Sequence, residues 1–235
     1  MRQRFQIHLV TDRKQARGDL ARVVSAALRG GVDWAQLREK SGPALGLYEG
    51  AMEVITRARE LHARVSINDR VDVALAAGAD GVHLASRSLP PQVARAVIPN
   101  DMLLGVSVHG LEQAREAVDV GADYVTFGHV YPTSSKPGLP PRGVRRLVEI
   151  VESVDAPVLA IGGIDAYNVR EVLATGASGI AVISAVLAAD DPEAAARKLR
   201  EAVDSSSCYP RHPFPEPRTG GRQRARNHEP QVRGG

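Results

Sequence analysis

The sequence predicts an α/β protein built as a single (β/α)8 TIM barrel, and three observations carry that prediction. Eight short β-rich apolar runs alternate with helix-length segments over residues 1–203, the pattern of βα units around a parallel sheet. The tripeptide Gly31-Val32-Asp33 recurs as Gly78-Ala79-Asp80, Gly121-Ala122-Asp123 and Gly176-Ala177-Ser178, each time where a helical segment ends and an apolar run begins; glycine there suits a helix C-terminus. Eight units in about 200 residues fit a compact closed barrel, whereas a doubly wound sheet more often has roughly five to seven strands and one dominant glycine-rich turn.

In chain order the predicted strands are Phe5 to Thr11, Trp34 to Arg38, Val65 to Asn68, Gly81 to Leu84, Leu103 to Ser107, Tyr124 to Gly128, Val158 to Ile161 and Gly179 to Ile183, with a helix between each and the next. An apolar content of 43% against 24% charged residues is enough to bury a core of that size. The single cysteine, Cys208, excludes a disulfide framework and any multi-cysteine zinc or iron–sulfur site, and suits a reducing compartment. No signal peptide and no apolar stretch of membrane-spanning length is present, so the chain reads as cytoplasmic with no membrane partner.

The formal charge of +3 is concentrated at one end. From Asp204 onward Arg211, Arg218, Arg222, Arg224, Arg226 and Arg233 face Asp204, Glu216 and Glu229, which leaves residues 1–203 neutral. A neutral body argues against a nucleic-acid partner, because phosphate binding needs clustered cations on the folded surface. Residues 204–235 hold Pro210, Pro213, Pro215, Pro217 and Pro230 and little apolar periodicity, so they are expected to form a disordered, solvated extension without a catalytic role.

A barrel places its chemistry on the loops after the strand C-termini. Those ends carry Thr11-Asp12-Arg13, Arg38-Glu39-Lys40, Asn68-Asp69-Arg70, Ser86-Arg87-Ser88, Ser107-Val108-His109, Gly128-His129-Val130, Gly162-Gly163 and Ser184. Singly, each reads as a cap or turn residue; together they mark one polar mouth. Gly162 and Gly163 after the seventh strand, with Ile183 and Ser184 after the eighth, suit a phosphate cradle. Gln36, Arg38 and Lys40 alternate, so they face one side and present two cations and an amide to an anion. Thr133, Ser135 and Lys136 bring hydroxyls and an ammonium on the longest loop, which composition alone would equally describe as a solvated lid. His109 and His129 end the fifth and sixth strands, where an imidazole can take and return a proton. Too few ligands converge for zinc.

These residues resemble the thiamine phosphate synthase/TenI superfamily. The resemblance spans residues 7 to about 203 and is carried by Leu9-Val10-Thr11-Asp12, Gln36-Leu37-Arg38-Glu39-Lys40, Ile67-Asn68-Asp69-Arg70, Gly81-Val82-His83-Leu84, Ser107-Val108-His109, Ala160-Ile161-Gly162-Gly163-Ile164 and Ala181-Val182-Ile183-Ser184-Ala185. It implies a (β/α)8 barrel, a small phosphorylated thiazole as substrate, and self-association into a homo-oligomer. The superfamily has two main branches. The synthase couples hydroxymethylpyrimidine pyrophosphate to thiazole phosphate with Mg2+ held by two aspartates; Asp69 matches the first, while Ser88 occupies the position of the second. Gln36, Arg38, Lys40, Asn68, Ser107, Thr133, Ser135 and Lys136 match the synthase's pyrimidine-pyrophosphate site. Phe127-Gly128-His129-Val130-Tyr131 and Pro141-Arg142-Gly143-Val144 look like the TenI branch, whose thiazole tautomerases aromatise a carboxythiazole phosphate by a proton shift without metal or other cofactor. The missing aspartate and the two histidines together favour the tautomerase, with His109 as the acid–base, His129 as its partner, Arg38 or Lys40 on the substrate carboxylate, and Gly163, Ile183 and Ser184 on the phosphate. The synthase is the alternative, with Asp69 as its metal ligand, and a non-catalytic binding or regulatory protein is the third reading.

Overall fold

The computed structural model describes residues 4–39 and 42–215. Eight strands, β1 (Gln6–Val10), β2 (Trp34–Leu37), β3 (Arg64–Asn68), β4 (Gly81–Leu84), β5 (Leu103–Val108), β6 (Tyr124–Gly128), β7 (Val158–Ile161) and β8 (Gly179–Val182), pair in sequence order and all parallel. Pairing of β8 with β1 closes the barrel. Helices α1 (Leu20–Arg29), α2 (Ala44–Glu60), α3 (Val71–Ala77), α4 (Pro91–Val97), α5 (Leu111–Asp119), α6 (Gly143–Ser153) and α7 (Val169–Leu173) follow β1 to β7 in turn. The chain after β8 supplies the short α8 (Ser184–Leu187) and then α9 (Pro192–Asp204), which packs on α1.

The recurring tripeptide has a physical function at the floor of the barrel. Its glycines, Gly31, Gly78, Gly121 and Gly176, all adopt positive φ, between 62° and 102°, where a side chain is strained. The turn lets the third residue bond the first part of the preceding odd-numbered strand. Carboxylate oxygens of Asp33, Asp80 and Asp123 accept from the amides of Ile7 (2.8 Å), Val65 (2.9 Å) and Leu104 (2.7 Å). Ser178 in the fourth copy accepts from Val158 N at 3.1 Å. Each pair is reciprocal, since the amides of Asp33, Asp80, Asp123 and Ser178 donate to the carbonyls of Ile7, Val65, Leu104 and Val158. Strand starts that would expose unpaired amides are thereby satisfied.

Alternation along each strand separates two cores. Ile7, Leu9, Ala35, Leu37, Val65 and Ile67 pack outward against the helices. Trp34, Leu103, Tyr124 and Leu159 form a separate layer at the bottom of the barrel, with His8 stacked on Trp34 at 5.4 Å between ring centroids.

The expectation that residues 204–235 are disordered fails for the stretch after α9. Arg211 N donates to Gly176 O (2.9 Å), and Ser178 Oγ donates to His212 O (2.6 Å). This explains why the fourth repeat ends in serine: a hydroxyl accepts from the strand and donates to the strap, which a carboxylate cannot do. The strap carries Phe214 under the barrel, with its ring 4.9 Å from Tyr124, 5.0 Å from His8 and 5.8 Å from Trp34. One anchoring aromatic within a proline- and arginine-rich stretch is invisible to periodicity and composition. The rest of that predicted extension, 216–235, lies outside the described residues. Among the described residues no helix is long and apolar enough to cross a membrane.

Candidate active site

A cavity of about 600 Å³ opens at the C-terminal ends of the strands, lined by residues from all eight strands or the loops that follow them. One wall is a buried hydrogen-bond chain. Gln36 Nε2 on β2 donates to Asn68 Oδ1 on β3 (2.8 Å), and Asn68 Nδ2 donates to Asp69 Oδ2 (2.6 Å). Asp69 sits at φ +63°, a conformation that an aspartate tolerates better than most residues. Its Oδ1 accepts from Ala85 N (3.1 Å) and from the Ser88 hydroxyl. Asp69 and Ser88 therefore converge on one corner, as the alignment of motifs expects of the two metal positions.

Cations line the same cavity. Arg38 follows β2; its backbone amide donates to Thr11 Oγ1 (2.9 Å), and its guanidinium lies 4.0 Å from Asp12 Oδ2. Lys136 comes from the loop after β6, and burial, together with Arg142 and Arg38 nearby, pushes its ammonium below the usual lysine range. That loop is held by local turns: Lys136 N donates to Thr133 O (3.1 Å), Ser135 N to Thr133 Oγ1 (3.3 Å), and Gln15 Nε2 reaches Ser135 Oγ (3.4 Å). Thr133, Ser135 and Lys136 all line the cavity.

On the opposite side lie Gly162, Gly163, Ile183 and Ser184. The two glycines have positive φ, +102° and +66°. A Cβ at Gly162 would strike the His129 side chain, and one at Gly163 would strike the backbone of Pro132 and the Tyr131 side chain. Their first requirement is thus the close approach of the loop after β6, in addition to the ligand approach read from sequence. Ile183 and Ser184 begin α8.

The two histidines differ. His109 Nδ1 meets Gly128 O at 3.1 Å, so in the neutral ring Nδ1 carries the proton and Nε2 is an acceptor. Burial first, and then Lys136, hold its pKa below the ordinary histidine value. His129 is only 5% exposed, and its Nε2 lies 3.2 Å from the Leu139 carbonyl. His129 contributes to the cavity wall, and its Nε2, bonded to the Leu139 carbonyl, anchors the loop after β6. Lys40, predicted with Arg38, lies outside the described residues.

Sequence reasoning quoted His83 within a motif and gave it no role. Its ring is buried at the base of the cavity, where burial lowers its pKa to about 4. Its Nε2 meets Ser107 Oγ at 2.8 Å and its Nδ1 meets Tyr124 Oη at 3.2 Å. Inward alternation on β4 and β6 was the available signal. Asp12, placed at the mouth by its strand end, gains its partner only in the fold, where it lies beside Arg38.

The site tests readily for Mg2+, which the synthase branch uses. No group of three or more His, Cys, Asp or Glu able to hold a metal occurs among the described residues. Mg2+ nevertheless needs only one or two carboxylates when substrate phosphates and water complete its shell. The Asp69 carboxylate with Ser88 Oγ beside it, in a cavity also lined by Arg38 and Lys136, fits that mode.

Fold and cavity together define a (β/α)8 barrel with a polar, cation-bearing cavity at its C-terminal mouth. The family model described as thiamine monophosphate synthase matches residues 7–186, and the chain belongs to that family. A thiamine-phosphate synthase of Roseiflexus sp. is 45% identical over 203 residues, covering 85% of this chain and 86% of the relative. One of Haloquadratum walsbyi is 42% identical over 217 residues, covering 91% and 97%. The solved thiamine phosphate pyrophosphorylase of Pyrococcus furiosus superposes with a TM-score of 0.79 at 43% identity, covering 85% of this chain and 96% of that one. The chain is accordingly an enzyme of thiamine biosynthesis, and its relatives weigh for the coupling branch over the tautomerase that single residues favoured.

Proposed function

We propose that this protein is a thiamine-phosphate synthase. It joins hydroxymethylpyrimidine pyrophosphate to thiazole phosphate: the thiazole nitrogen bonds the pyrimidine methylene carbon while the carbon–oxygen bond to pyrophosphate breaks. The observation that carries this reading is that the buried Gln36–Asn68–Asp69 hydrogen-bond chain opens into one cavity with Arg38, Lys136 and the Gly162–Gly163 turn. Arg38 and Lys136 stand with the Gln36–Asn68–Asp69 chain on one side, and Gly162, Gly163, Ile183 and Ser184 stand on the other. The carboxythiazole phosphate of a tautomerase would also use the cations and the glycine turn, but it leaves the buried Gln36–Asn68–Asp69 chain idle, and that chain favours coupling.

In this assignment Gln36 and Asn68 orient the pyrimidine and its diphosphate, Arg38, Lys40 and Lys136 neutralise the diphosphate, and Ser107 donates to the same substrate. Thr133 and Ser135 stand with these residues around the pyrimidine pyrophosphate, and the amides at Gly163, Ile183 and Ser184 take the phosphoryl oxygens of the thiazole phosphate. Asp69, assisted by Ser88, would hold Mg2+, which when bound offsets charge on the departing pyrophosphate. His109, neutral near pH 7, supplies an uncharged wall beside the thiazole, where a cation would oppose the positive ring being formed.

The test supplies purified full-length protein with both substrates and Mg2+ and follows thiamine phosphate and pyrophosphate. Equimolar formation of the two is expected. Failure to couple, with metal-free aromatisation of carboxythiazole phosphate that His109→Ala abolishes, would replace this reading with the tautomerase.

A further inference from the structure

We propose that His83 is a positioning residue that fixes Ser107 as a hydrogen-bond donor to the pyrimidine-pyrophosphate substrate, with Tyr124 holding the imidazole in the required tautomer. The inference rests on the synthase reading for the identity of the ligand, and on geometry alone for the relay.

The three residues come from consecutive strands and point inward at adjacent levels. Tyr124 on β6 is 1% exposed and His83 on β4 is 2% exposed, while Ser107 on β5 borders the cavity. A buried phenol must place its single proton on an acceptor. Ser66 Oγ lies close enough to influence the phenol but outside hydrogen-bond geometry. His83 Nδ1, at 3.2 Å, is the acceptor in reach. A proton arriving from Tyr124 requires a bare Nδ1, so the hydrogen of the neutral ring sits on Nε2. Nε2–H then donates to Ser107 Oγ across 2.8 Å, and the serine's own proton is left for an acceptor in the cavity. Polarity thus runs from the phenol at the barrel's core to the ligand.

Gly105 shows that space is reserved for this arrangement. A Cβ there would overlap the Tyr124 ring and come within 2.6 Å of His83 Nδ1, so glycine on β5 is what admits the phenol–imidazole pair. Thr126, opposite Ser107 in the β5–β6 register, gives the hydroxyl a second polar neighbour at the mouth.

The relay is read directly by nitrogen NMR of full-length protein labelled with 15N-histidine, with the His83 signals identified by their loss in His83→Gln. A pyridine-type Nδ1 and a protonated Nε2 are expected; a protonated Nδ1 with bare Nε2 overturns the proposal. This arm needs no substrate, so it stands whether or not the coupling activity is found. In the kinetic arm, His83→Leu removes the donor and is expected to raise KM for the pyrimidine pyrophosphate roughly tenfold, the scale of one hydrogen bond to a charged ligand. KM for thiazole phosphate should stay within about twofold, and His83→Gln, which retains an N–H, should recover most of the loss. In a Ser107→Ala background His83→Leu should add nothing. An equal KM rise with and without Ser107, or equal damage to both substrates, would show a packing effect and refute the positioning role.

Discussion

Cutting Phe214 to alanine should lower the stability of the whole barrel. The ring meets His8, Trp34 and Tyr124 at centroid distances of 4.9–5.8 Å, and it is half-buried. A fully buried phenylalanine truncated to alanine costs about 3–5 kcal/mol, so roughly half of that, ~2 kcal/mol, is the expected loss here. At ~2–4 °C per kcal/mol for a chain of this length, thermal unfolding should begin about 4–8 °C lower. Differential scanning calorimetry of wild type and Phe214→Ala, with Phe214→Leu as a milder truncation, reads the ordering directly. Removing everything after Asp204 should cost at least as much, since it also strips the bonds of Arg211 N and of Ser178 Oγ to the strap. Unfolding temperatures within about 1 °C of wild type for both Phe214→Ala and the truncation would refute the claim that this segment is part of the fold.

Two further outcomes follow from the buried and acidic groups. Burial lowers the pKa of His8 well below its ordinary value and that of His83 to about 4. The unfolded chain therefore binds more protons than the native one below about pH 6.5. Stability should fall as pH drops from about 6.5 toward 4, with each histidine adding a slope of up to ~1.4 kcal/mol per pH unit. Urea unfolding at a series of pH values checks this, and a midpoint flat from pH 7 to 5 would contradict it; His8→Leu should remove one histidine's share of the slope. At the candidate metal corner, Ser88→Asp restores a second carboxylate beside Asp69 and should lower the Mg2+ concentration for half-maximal coupling by on the order of tenfold. An unchanged Mg2+ requirement would mean that the ion sits elsewhere.

Most of the barrel was legible because its boundaries are written in short-range chemistry. Four copies of a glycine turn mark where helices stop, and the acceptor that ends each copy marks the strand floor, so the predicted strands begin and end within a residue or two of the observed ones. The mouth was legible for a related reason: alternation puts Gln36, Asn68 and Ser107 inside, and the strand C-termini put His109 and Lys136 at the same end. What stayed hidden depends on contacts between residues far apart in sequence. Nothing local in Phe214 or Ser178 announces that the chain returns beneath the barrel, and nothing near Gly105 announces a phenol from the next strand.

The choice between branches turned on the same limit. Read one residue at a time, Ser88 subtracts from a metal site and His129 adds to a proton-transfer site. In three dimensions His129 spends its ring nitrogen on Leu139 O, while Ser88 closes on the very carboxylate it was thought to leave unsupported. A hydroxyl bonded to Asp69 keeps that oxygen pair gathered at one corner, where an ion carrying its own phosphate and water ligands needs few protein donors. The catalytic meaning of a substitution in this cavity is therefore set by what its side chain binds after folding. By that measure Ser88 acts first as a partner of the Asp69 carboxylate, the arrangement the proposed coupling reading would use, and the His129 ring ties the loop that carries Thr133 and Lys136 to the barrel.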